Sequence, residues 1–588
     1  MDKISILVIF TLLFLFSCDK NDDPIQDSLN LDKLNLDFEV RNYNNASLPD
    51  YWHVSGNGFT ISLDDKEKHS GKLSLKMERK GNPNGNFGLF YGTLPIAFAG
   101  KEVEYRGWIK TKGVKNGYAG LWFRVDGANS TLGFDDMNTR GLRGDNSWKQ
   151  VSIKMNVHPD ATNIVFGGQF TGEGSVWFDN LELYINGVKY IDLEPKTSLS
   201  QEEIAALKKY IYPLRTYEPD GGDTKDLEAL DSLIGSSKVV ALGEVSHGSS
   251  EIFKMKNRII QYLAANNGFD IFSIEASMPE SYKLNDYTVR GEGDPKKLIA
   301  GMYFWTWRTE EVLNMVEWMR KFNQPEQRIA FTGFDMQYYN GAVNEIQNAF
   351  KENDEVNIKI GILRTKLAGT NVGSNISADD RKEIDAILSF LQNSIETSSF
   401  QTSEKEWLQQ NIVIIRQYLG NNGSRDKCMA DNVMWIKDNN SDSKLVIWAH
   451  NVHIQKTNQM QDYYLQGFYL AQRLGDDYTT FGFTFFDGSF TAAGNKGLTS
   501  YKAEPAYAGT LEYFLNQLND PIFILDLKRI KSDNNKDTEW LMERLAYRCV
   551  GSTGGTQFEF WERKITDDFD YLIFIKTSTP SVLFPESL

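Results

Sequence analysis

The segment Lys238–Arg258 reads KVVALGEVSHGSSEIFKMKNR and gives the clearest indication of how the larger part of the chain folds. Its run VVAL is apolar without alternation, which is typical of a strand that is covered on both faces. A polar turn with Glu244 and His247 follows, and the next residues show the apolar spacing of an amphipathic helix. Strand, polar turn and helix in this order are the unit from which parallel α/β sheets are built.

Further short apolar runs alternate with helical stretches downstream. These runs are FDIFSIEA, RIAFTGFD, KLVIWAH, TTFGFTFFD, PIFILDLK and YLIFIK. Each is apolar along its whole length, and parallel strands buried between two layers of helices have this composition. We therefore predict an α/β domain over residues 201–588, with a largely parallel sheet flanked by helices.

The sequence upstream has a different pattern. Residues 36–190 contain short alternating or aromatic-rich runs such as GKLSLKMER and WKQVSIKMNV, separated by Gly, Asn and Asp. Closely spaced strands without a long helical period predict an all-β, jelly-roll-like antiparallel sandwich. A linker at residues 191–200 would join it to the α/β domain.

The end of this all-β region, VWFDNLELY, resembles the last strand of jelly-roll carbohydrate-binding modules. Tryptophans of such a module either stack on sugar rings or fill the core, and the sequence leaves both roles open. The tryptophans concerned are Trp52, Trp108, Trp122, Trp148 and Trp177.

The first residues have the features of an export signal. Lys3 precedes an apolar run of signal-peptide length, and LFSC resembles a bacterial lipoprotein cleavage box. Residues 1–17 are then the signal peptide, Cys18 is the lipidated residue, and the polar residues 18–35 form a tether. The acidic stretch after Cys18 also resembles the surface-export signal of Bacteroidota-type lipoproteins. We expect a lipid-anchored protein of a Gram-negative outer membrane, exposed at the cell surface; a plain secretory signal is the alternative.

Composition excludes several classes of protein. The formal net charge of −16 argues against nucleic acid as the main partner. The mean hydropathy of −0.42 argues against a protein with several membrane spans, so the lipid anchor is the expected membrane contact. The cysteines, Cys18, Cys428 and Cys549, are too few for a disulfide framework or a thiolate metal cage.

Histidines and acids follow the predicted strands of the α/β domain. Ligands of parallel α/β sheets bind beyond the carboxyl ends of the strands, so these side chains should converge at one edge. They are Glu244, His247, Glu275, Asp335, His450 and His453. Single members of this set could instead cap helices, and the spacings ExxH and HxxH with Glu275 or Asp335 also suit a divalent metal.

The residue types agree with hydrolysis by activated water. The chain has no GxSxG motif, and no histidine lies near Cys428 or Cys549 in sequence. His247 precedes a helix, whose dipole keeps an imidazole neutral and able to accept a proton. Glu244 or Glu275 can orient that ring, and His450 or His453 can stabilise an oxyanion.

Five motifs in order carry a resemblance to a known family. GEVSHGSSEIFKMK, FSIEAS, WTWRTEE, GFDMQ and WAHNVHIQK resemble the erythromycin esterase family of macrolide-lactone hydrolases, from about Leu230 to the C-terminus. The resemblance implies metal-independent hydrolysis of a macrocyclic ester by histidine-activated water. By position it implies catalytic roles for Glu244, His247, Glu275, His450 and His453.

One residue departs from that pattern. The family's SEFxxAR reads SEIFKMK here, so Lys256 replaces an arginine and the planar, bidentate guanidinium is lost. Lys256 either balances the carboxylates or binds substrate. Trp305, Arg308 and Asp335 are the other candidate substrate-binding residues, since the aromatic segment around Trp305 suits the wall of an apolar cleft.

Three functions fit the sequence. The first is an esterase that opens macrolide lactones and so confers resistance. The second is an esterase that acts on a glycan-linked ester held by the sandwich, and the third is a non-catalytic glycan-binding lipoprotein. The partners expected are therefore a small ester or lactone and a glycan.

Overall fold

The structure, a computed structural model, describes most of the chain. The described residues are 34–42, 45–79, 87–94, 98–128, 130–190, 196–219, 222–420, 423–457, 464–555 and 559–585. Cys18, the predicted signal peptide and residues 18–33 of the predicted tether lie outside them. The chain divides into two compact units, Met1–Glu194 and Pro195–Leu588. No helix in the described ranges is long and apolar enough to span a membrane.

The first unit consists mostly of strands. They are β1 (His53–Ser55), β2 (Thr60–Asp64), β3 (Ser74–Arg79), β4 (Phe87–Leu94), β5 (Glu102–Asp126), β6 (Thr131–Asp135), β7 (Leu142–Asn156), β8 (Asn163–Thr171), β9 (Glu173–Ile185) and β10 (Val188–Lys189). Their order is β1-β4-β8-β5-β9-β3-β2, with β6 and β7 on β5 and β10 on β9. The predicted all-β character of this unit is confirmed, and every pairing is antiparallel.

The long strand β5 pairs with different neighbours along its length. Its residues from Val103 to Lys115 pair with β9, whereas those from Ala119 onward pair with β8. The inward positions alternate along the strand, and Tyr105 and Leu121 are fully buried with Phe166 and Phe178 of the neighbouring strands. This alternation is the reason why the sequence shows a period of two here.

At both ends of this unit, residues predicted as tether or linker are folded. Leu34 and Asn35, predicted to end the tether, are buried, and the Trp52 indole donates to the Asn35 carbonyl (3.0 Å). Lys196–Ser200, predicted as linker, belongs to the second unit: Leu199 is buried in its core and donates its amide to Gln517. The part of the predicted linker that the structure describes is therefore folded, because Leu199 has apolar surface to bury.

The second unit is a mixed α/β body, as predicted. Its strands are β11 (Ile211–Pro213), β12 (Val239–Leu242), β13 (Phe269–Ser277), β14 (Ala330–Asp335), β15 (Lys444–Trp448), β16 (Tyr478–Gly494), β17 (Thr499–Ala503), β18 (Ile522–Asp526), β19 (Leu545–Arg548), β20 (Thr553–Gly554), β21 (Phe560–Arg563) and β22 (Tyr571–Ser578). Its helices are α1 (Gln201–Leu207), α2 (Ala229–Ile234), α3 (Ser250–Asn266), α4 (Met278–Arg290), α5 (Pro295–Ala300), α6 (Glu310–Phe322), α7 (Asn340–Ala349), α8 (Asp354–Leu367), α9 (Ala378–Thr397), α10 (Thr402–Tyr418), α11 (Arg425–Asp438), α12 (Asn451–Ile454), α13 (Gln466–Leu474), α14 (Leu511–Asn516), α15 (Leu527–Asp533) and α16 (Ile565–Asp568).

The main sheet of this unit has the order β11-β18-β22-β16-β12-β15-β13-β14. The strands from β22 to β14 run parallel to their neighbours, and β18 and β11 complete the other side in antiparallel pairings. β15 is inserted between β12 and β13 although it follows them by well over a hundred residues. The turn after β15 is thereby brought next to the turn after β12.

Both faces of the sheet are covered. Val239 and Ala241 of β12 pack into one apolar cluster, and Val240 and Leu242 pack into another on the opposite face. Successive side chains of a strand point to opposite faces, so both must be apolar here. This explains why the strand run VVAL shows no polar alternation.

Candidate active site

The carboxyl ends of four adjacent parallel strands form one edge that carries the candidate residues. In strand order these are Glu244 and His247 after β12, His450 and His453 after β15, Glu275 near the end of β13, and Asp335 at the end of β14. The rings of His247 and His450 lie 5.0 Å apart between their centroids. Side chains from separate parts of the chain therefore share this edge.

His247 is paired with a buried carboxylate. Its Nδ1 lies 2.6 Å from Oε1 of Glu244, which has no exposed surface. The imidazole itself is 16% exposed, and none of the described residues hydrogen-bonds to its Nε2. A carboxylate only accepts hydrogen bonds, so this pair places the proton on Nδ1 and leaves Nε2 with its lone pair.

The second oxygen of Glu244 receives two buried donors. Trp448 Nε1 donates to Oε2 at 2.5 Å, and Lys256 Nζ donates to the same oxygen at 3.0 Å. Lys256 has no exposed surface, and its ammonium lies 4.1 Å from the centroid of the Trp448 ring. Burial lowers the pKa of Lys256 to about 7, although Glu244 and Glu275 oppose this shift.

His450 is a buried neutral imidazole. Burial holds its pKa well below the ordinary value, and the neighbouring imidazoles of His247 and His453 act in the same direction. The amide of Val452 donates to Nδ1 at 3.3 Å, which places the ring proton on Nε2. That proton points toward the carbonyl of Val245 at 3.4 Å, a long hydrogen bond that leaves a donor available for a ligand.

His453 forms a second imidazole–carboxylate pair. Its Nδ1 lies 2.6 Å from Oδ1 of Asp426, and its Nε2 lies 3.4 Å from Oε1 of Glu275. Burial alone would lower the pKa of His453, but Asp426 and Glu275 raise it above the ordinary value. Arg425 Nη1 is 3.1 Å from Nε2, so both ring nitrogens have protein partners.

Arg425 joins the acids of β13 and β14. Its guanidinium donates to both oxygens of Asp335, at 3.2 and 2.8 Å, and to Glu275 Oε1 at 2.7 Å. Burial raises the pKa of Glu275, but His453, Arg425 and His247 together lower it well below the usual range. The cluster therefore holds Glu275 as an anion whose Oε2 accepts the amide of His450 at 2.9 Å.

The predicted substrate-binding residues differ in access. Lys256 and Asp335 are fully buried and bind protein groups, which fits the alternative in which Lys256 balances a carboxylate. Trp305 and Arg308 are half-buried at the start of the segment before α6. Tyr303 is exposed and stacks on Tyr338 at 4.1 Å, in the loop that follows Asp335.

Sequence reasoning missed three members of the site. Arg425 and Asp426 begin α11, where Ser424 caps the helix, so their pattern is that of an ordinary helix start. Trp448 ends β15, whose residues after Lys444 are all apolar and buried, so it has the pattern of a core residue. The available signal was its position, since it directly precedes the turn that carries His450 and His453.

The alternatives of a metal site and a cysteine nucleophile have no matching cluster in the described ranges. There, no group of three or more His, Cys, Asp or Glu side chains is arranged to hold a metal ion. Cys428 and Cys549 are free thiols, and burial raises the pKa of each to about 12. A thiol with such a pKa is a poor nucleophile.

The tryptophans of the first unit fall into two groups. Trp52, Trp122 and Trp177 are buried, in agreement with the core-packing alternative. Trp108 and Trp148 are half-buried, and the His69 ring stacks on Trp108 at 4.0 Å and meets Trp148 edge-on at 5.8 Å.

Comparison with known proteins identifies the family. The sequence pattern of the erythromycin esterase family matches residues 264–578, which is more than half of the chain. The chain belongs to the erythromycin esterase family. The match contains Glu275, Arg425, His450 and His453, whereas Glu244 and His247 precede it and the first unit lies outside it.

Two curated relatives and one solved structure are similar to this family member. "Putative hydrolase YbfO" of Bacillus subtilis is 23% identical over 427 residues, 64% of this chain and 91% of the relative. Erythromycin esterase type II of Escherichia coli is 27% identical over 326 residues, 48% and 76% of the two chains. A Bacillus cereus protein of known crystal structure is 23% identical, covers 65% of this chain and 99% of its own, and superposes with a TM-score of 0.56. This likeness shows a common fold.

Proposed function

We propose that this erythromycin esterase family member hydrolyses a carboxylic ester, with a macrocyclic lactone such as a macrolide as the first candidate, and that His247 is the general base. One observation carries the proposal. His247 binds the buried Glu244 through Nδ1 and keeps Nε2 unpartnered and accessible among the described residues. A histidine held in this way accepts a proton from water.

The reaction follows from that arrangement. Water attacks the acyl carbon while its proton passes to Nε2 of His247, and the carbonyl electrons move to oxygen. The tetrahedral oxyanion then collapses and the bond from carbon to the alkoxy oxygen breaks. The imidazolium of His247 returns the proton to that leaving oxygen, which gives a carboxylic acid and an alcohol.

His450 is the proposed donor to the oxyanion. It is neutral, its proton is on Nε2, and its ring lies 5.0 Å from that of His247. Its contact with the Val245 carbonyl is long, at 3.4 Å, so the donor is available to an oxyanion, and one such donor contributes about 10²–10³ in kcat. Glu275, whose Oε2 accepts the amide of His450, forms a charged cluster with Arg425 and His453.

Aromatic side chains next to Asp335 are the proposed wall for an apolar ester. Tyr303 and Tyr338 stack there, and Trp305 and Arg308 are half-buried in the same segment as Tyr303. Apolar and aromatic walls with a few polar groups are the usual composition of a small-molecule site. We assign Trp305 and Arg308 to substrate contact on this basis.

The test is hydrolysis of erythromycin by the protein without residues 1–18, followed by mass spectrometry. We expect the drug to gain one water with the wild-type protein and not with His247→Ala. His158→Ala is the matched control, because His158 is exposed in the first unit and should leave the rate unchanged. A chelator should also leave the rate unchanged.

Three outcomes would contradict parts of this proposal. If His247→Ala keeps the wild-type rate, His247 is not the base. If the wild-type protein hydrolyses no macrolide but does hydrolyse other esters, the ester class is wrong while the chemistry stands. A full loss with chelator would favour the metal alternative.

A glycan-linked ester is the second candidate substrate, favoured by one observation in the first unit. His69, Trp108 and Trp148 form a half-buried aromatic cluster, a composition that suits stacking on a sugar ring. A glycan array with residues 34–190 tests it, and Trp148→Ala should abolish any binding. Absence of binding would remove the glycan from both this candidate and the non-catalytic one.

We also propose that Cys18 anchors the protein in the outer membrane at the cell surface. The proposal rests on LFSC and the acidic stretch after it. Labelling of cells with a radioactive fatty acid should mark the wild-type protein and not Cys18→Ser. Added protease should digest it on intact cells, and a protected protein would contradict surface exposure.

A further inference from the structure

Glu244 is held by more donors than its pairing with His247 needs. Its carboxylate is completely buried, and a buried charge is costly unless it is paired. Oε1 is occupied by His247 Nδ1, while Oε2 accepts from both Lys256 Nζ and Trp448 Nε1. The two extra donors thus share one oxygen and leave the other to His247.

Lysine and tryptophan are donors only, which gives this contact a direction. The ammonium of Lys256 and the indole N–H of Trp448 only donate, and the Glu244 carboxylate only accepts, so neither hydrogen bond can reverse its direction. With Oε2 occupied twice, rotation of the Glu244 carboxylate would break two hydrogen bonds at once. The two hydrogen bonds to Oε2 therefore keep Oε1 oriented toward His247.

The two donors, Lys256 and Trp448, also contact each other. The Lys256 ammonium lies over the Trp448 ring at 4.1 Å and faces the Phe483 ring at 6.0 Å, within the range of cation–π attraction. Lys256 comes from α3 and Trp448 ends β15, so this contact joins the helix after β12 to the neighbouring strand. We name Glu244, Lys256 and Trp448 the carboxylate clamp.

We propose that Lys256 and Trp448 are positioning residues: the carboxylate clamp fixes Glu244 so that the proton of His247 stays on Nδ1 and Nε2 is free to accept the proton of water. This inference rests on the proposed role of His247. Lys256 has no exposed surface and does not reach the substrate. Its loss should therefore lower kcat and leave KM unchanged, whereas a substrate-binding lysine would act on KM.

The kinetic test uses erythromycin and three clamp variants. Lys256→Met keeps the length of the side chain and removes the charge, and we expect kcat to fall about 100-fold. Trp448→Phe keeps the ring and removes the N–H donor, with a smaller fall in kcat. Lys256→Arg keeps the charge and should recover most of the rate lost in Lys256→Met.

Arg258→Met is the matched control for loss of a buried cation on the same helix. Arg258 is buried in an ion pair with Asp226 at 2.7 Å, and it lies two positions beyond Lys256, on a different side of α3. This variant removes a buried ion pair without touching the carboxylate clamp. We expect it to lower the melting temperature and to leave kcat unchanged.

A second measurement needs no substrate and separates this inference from the proposed function. The chain has six histidines, so selective ¹⁵N labelling gives a simple NMR spectrum. His247 and His453 each bind a carboxylate through Nδ1 at 2.6 Å, and each should give a downfield Nδ1–H signal. In Lys256→Met only the His247 signal should move or broaden, and the His453 signal is the internal reference.

The outcomes decide between the two proposals. A shifted His247 signal in Lys256→Met, with no hydrolysis by the wild-type protein, would support the carboxylate clamp and overturn the ester substrate. An unchanged His247 signal would overturn the inference, whatever the activity. A rise in KM at constant kcat, or equal effects of Lys256→Met and Arg258→Met on kcat, would also overturn it.

Discussion

The two imidazole–carboxylate pairs of the site are nearly identical at Nδ1 and differ at Nε2. Both distances to the carboxylate are 2.6 Å, and both rings are 16% exposed. His247 Nε2 has no partner among the described residues, whereas His453 Nε2 faces Arg425 and Glu275. The same pair can therefore serve as a base in one place and as part of a charged scaffold in the other. The role of each histidine therefore depends on whether Nε2, the ring nitrogen that does not bind the carboxylate, has a protein partner.

The largest expected contrast is between alanine variants of these two histidines. His247→Ala should lower kcat by about 10³-fold, the scale of general base catalysis, with little change in melting temperature. His453→Ala should lose less of the rate and more of the stability, about 2 kcal/mol, because Asp426 and Glu275 lose a buried partner. Erythromycin hydrolysis and urea unfolding of both variants measure this. Equal effects on rate would show that the two pairs are not distinct.

Arg425 tests whether the His453 side is a scaffold. Arg425→Met leaves Glu275 and Asp335 without their cation in a buried place, and we expect the free energy of unfolding to fall by about 3 kcal/mol. Arg290→Met is the control, since Arg290 pairs with Asp286 and Glu292 at the surface and should cost under about 1 kcal/mol. Urea unfolding measures both. A similar small loss in each would mean that Arg425 is not needed for the fold.

Lys256 predicts a pH dependence on the His247 side. Its pKa is about 7 in the folded protein and 10.5 in the unfolded chain, so between these values the unfolded chain binds a proton that the folded protein lacks. The contribution of this group to the free energy of unfolding therefore rises with pH between these two values. In urea unfolding, the free energy of unfolding of the wild type relative to Lys256→Met should be higher at pH 9.5 than at pH 7.5. A constant difference would mean that Lys256 stays charged in the fold.

The smallest expected effect concerns the turn that supports His247. Gly551 has a φ of +66°, and its carbonyl accepts the amide of His247 at 3.1 Å. Gly551→Ala should cost about 1 kcal/mol, because an L-residue is strained in that region. Gly361→Ala is the control: Gly361 lies within α8 with open space around it, and alanine should be neutral or stabilising there. A neutral Gly551→Ala would show that this turn adapts.

The sheet edge that carries the site could be predicted from the sequence, but the hydrogen bonds and ion pairs between its side chains could not. Unbroken apolar runs followed by Glu244, His247 and His450 predict strands and the turns after them, because the pattern of one strand is local. The Arg425–Glu275 contact joins residues 150 positions apart, and no local pattern encodes it. The sequence left two roles open for Lys256, because its position in α3 does not reveal that Trp448 of β15 packs against its ammonium.

The sheet order has a consequence for the synthesis of the chain. β15 is the strand between β12 and β13, yet Lys444 follows Ser277 by 167 residues. At about 5–20 residues per second, the ribosome needs roughly 10 to 30 s to make that stretch. During this time the edges of β12 and β13 that will pair with β15 are uncovered, and such edges can pair with strands of other chains. β15, the strand that brings His450 and His453 to the site, thus also covers these two edges, and β12 keeps its other edge open until β16 has been made.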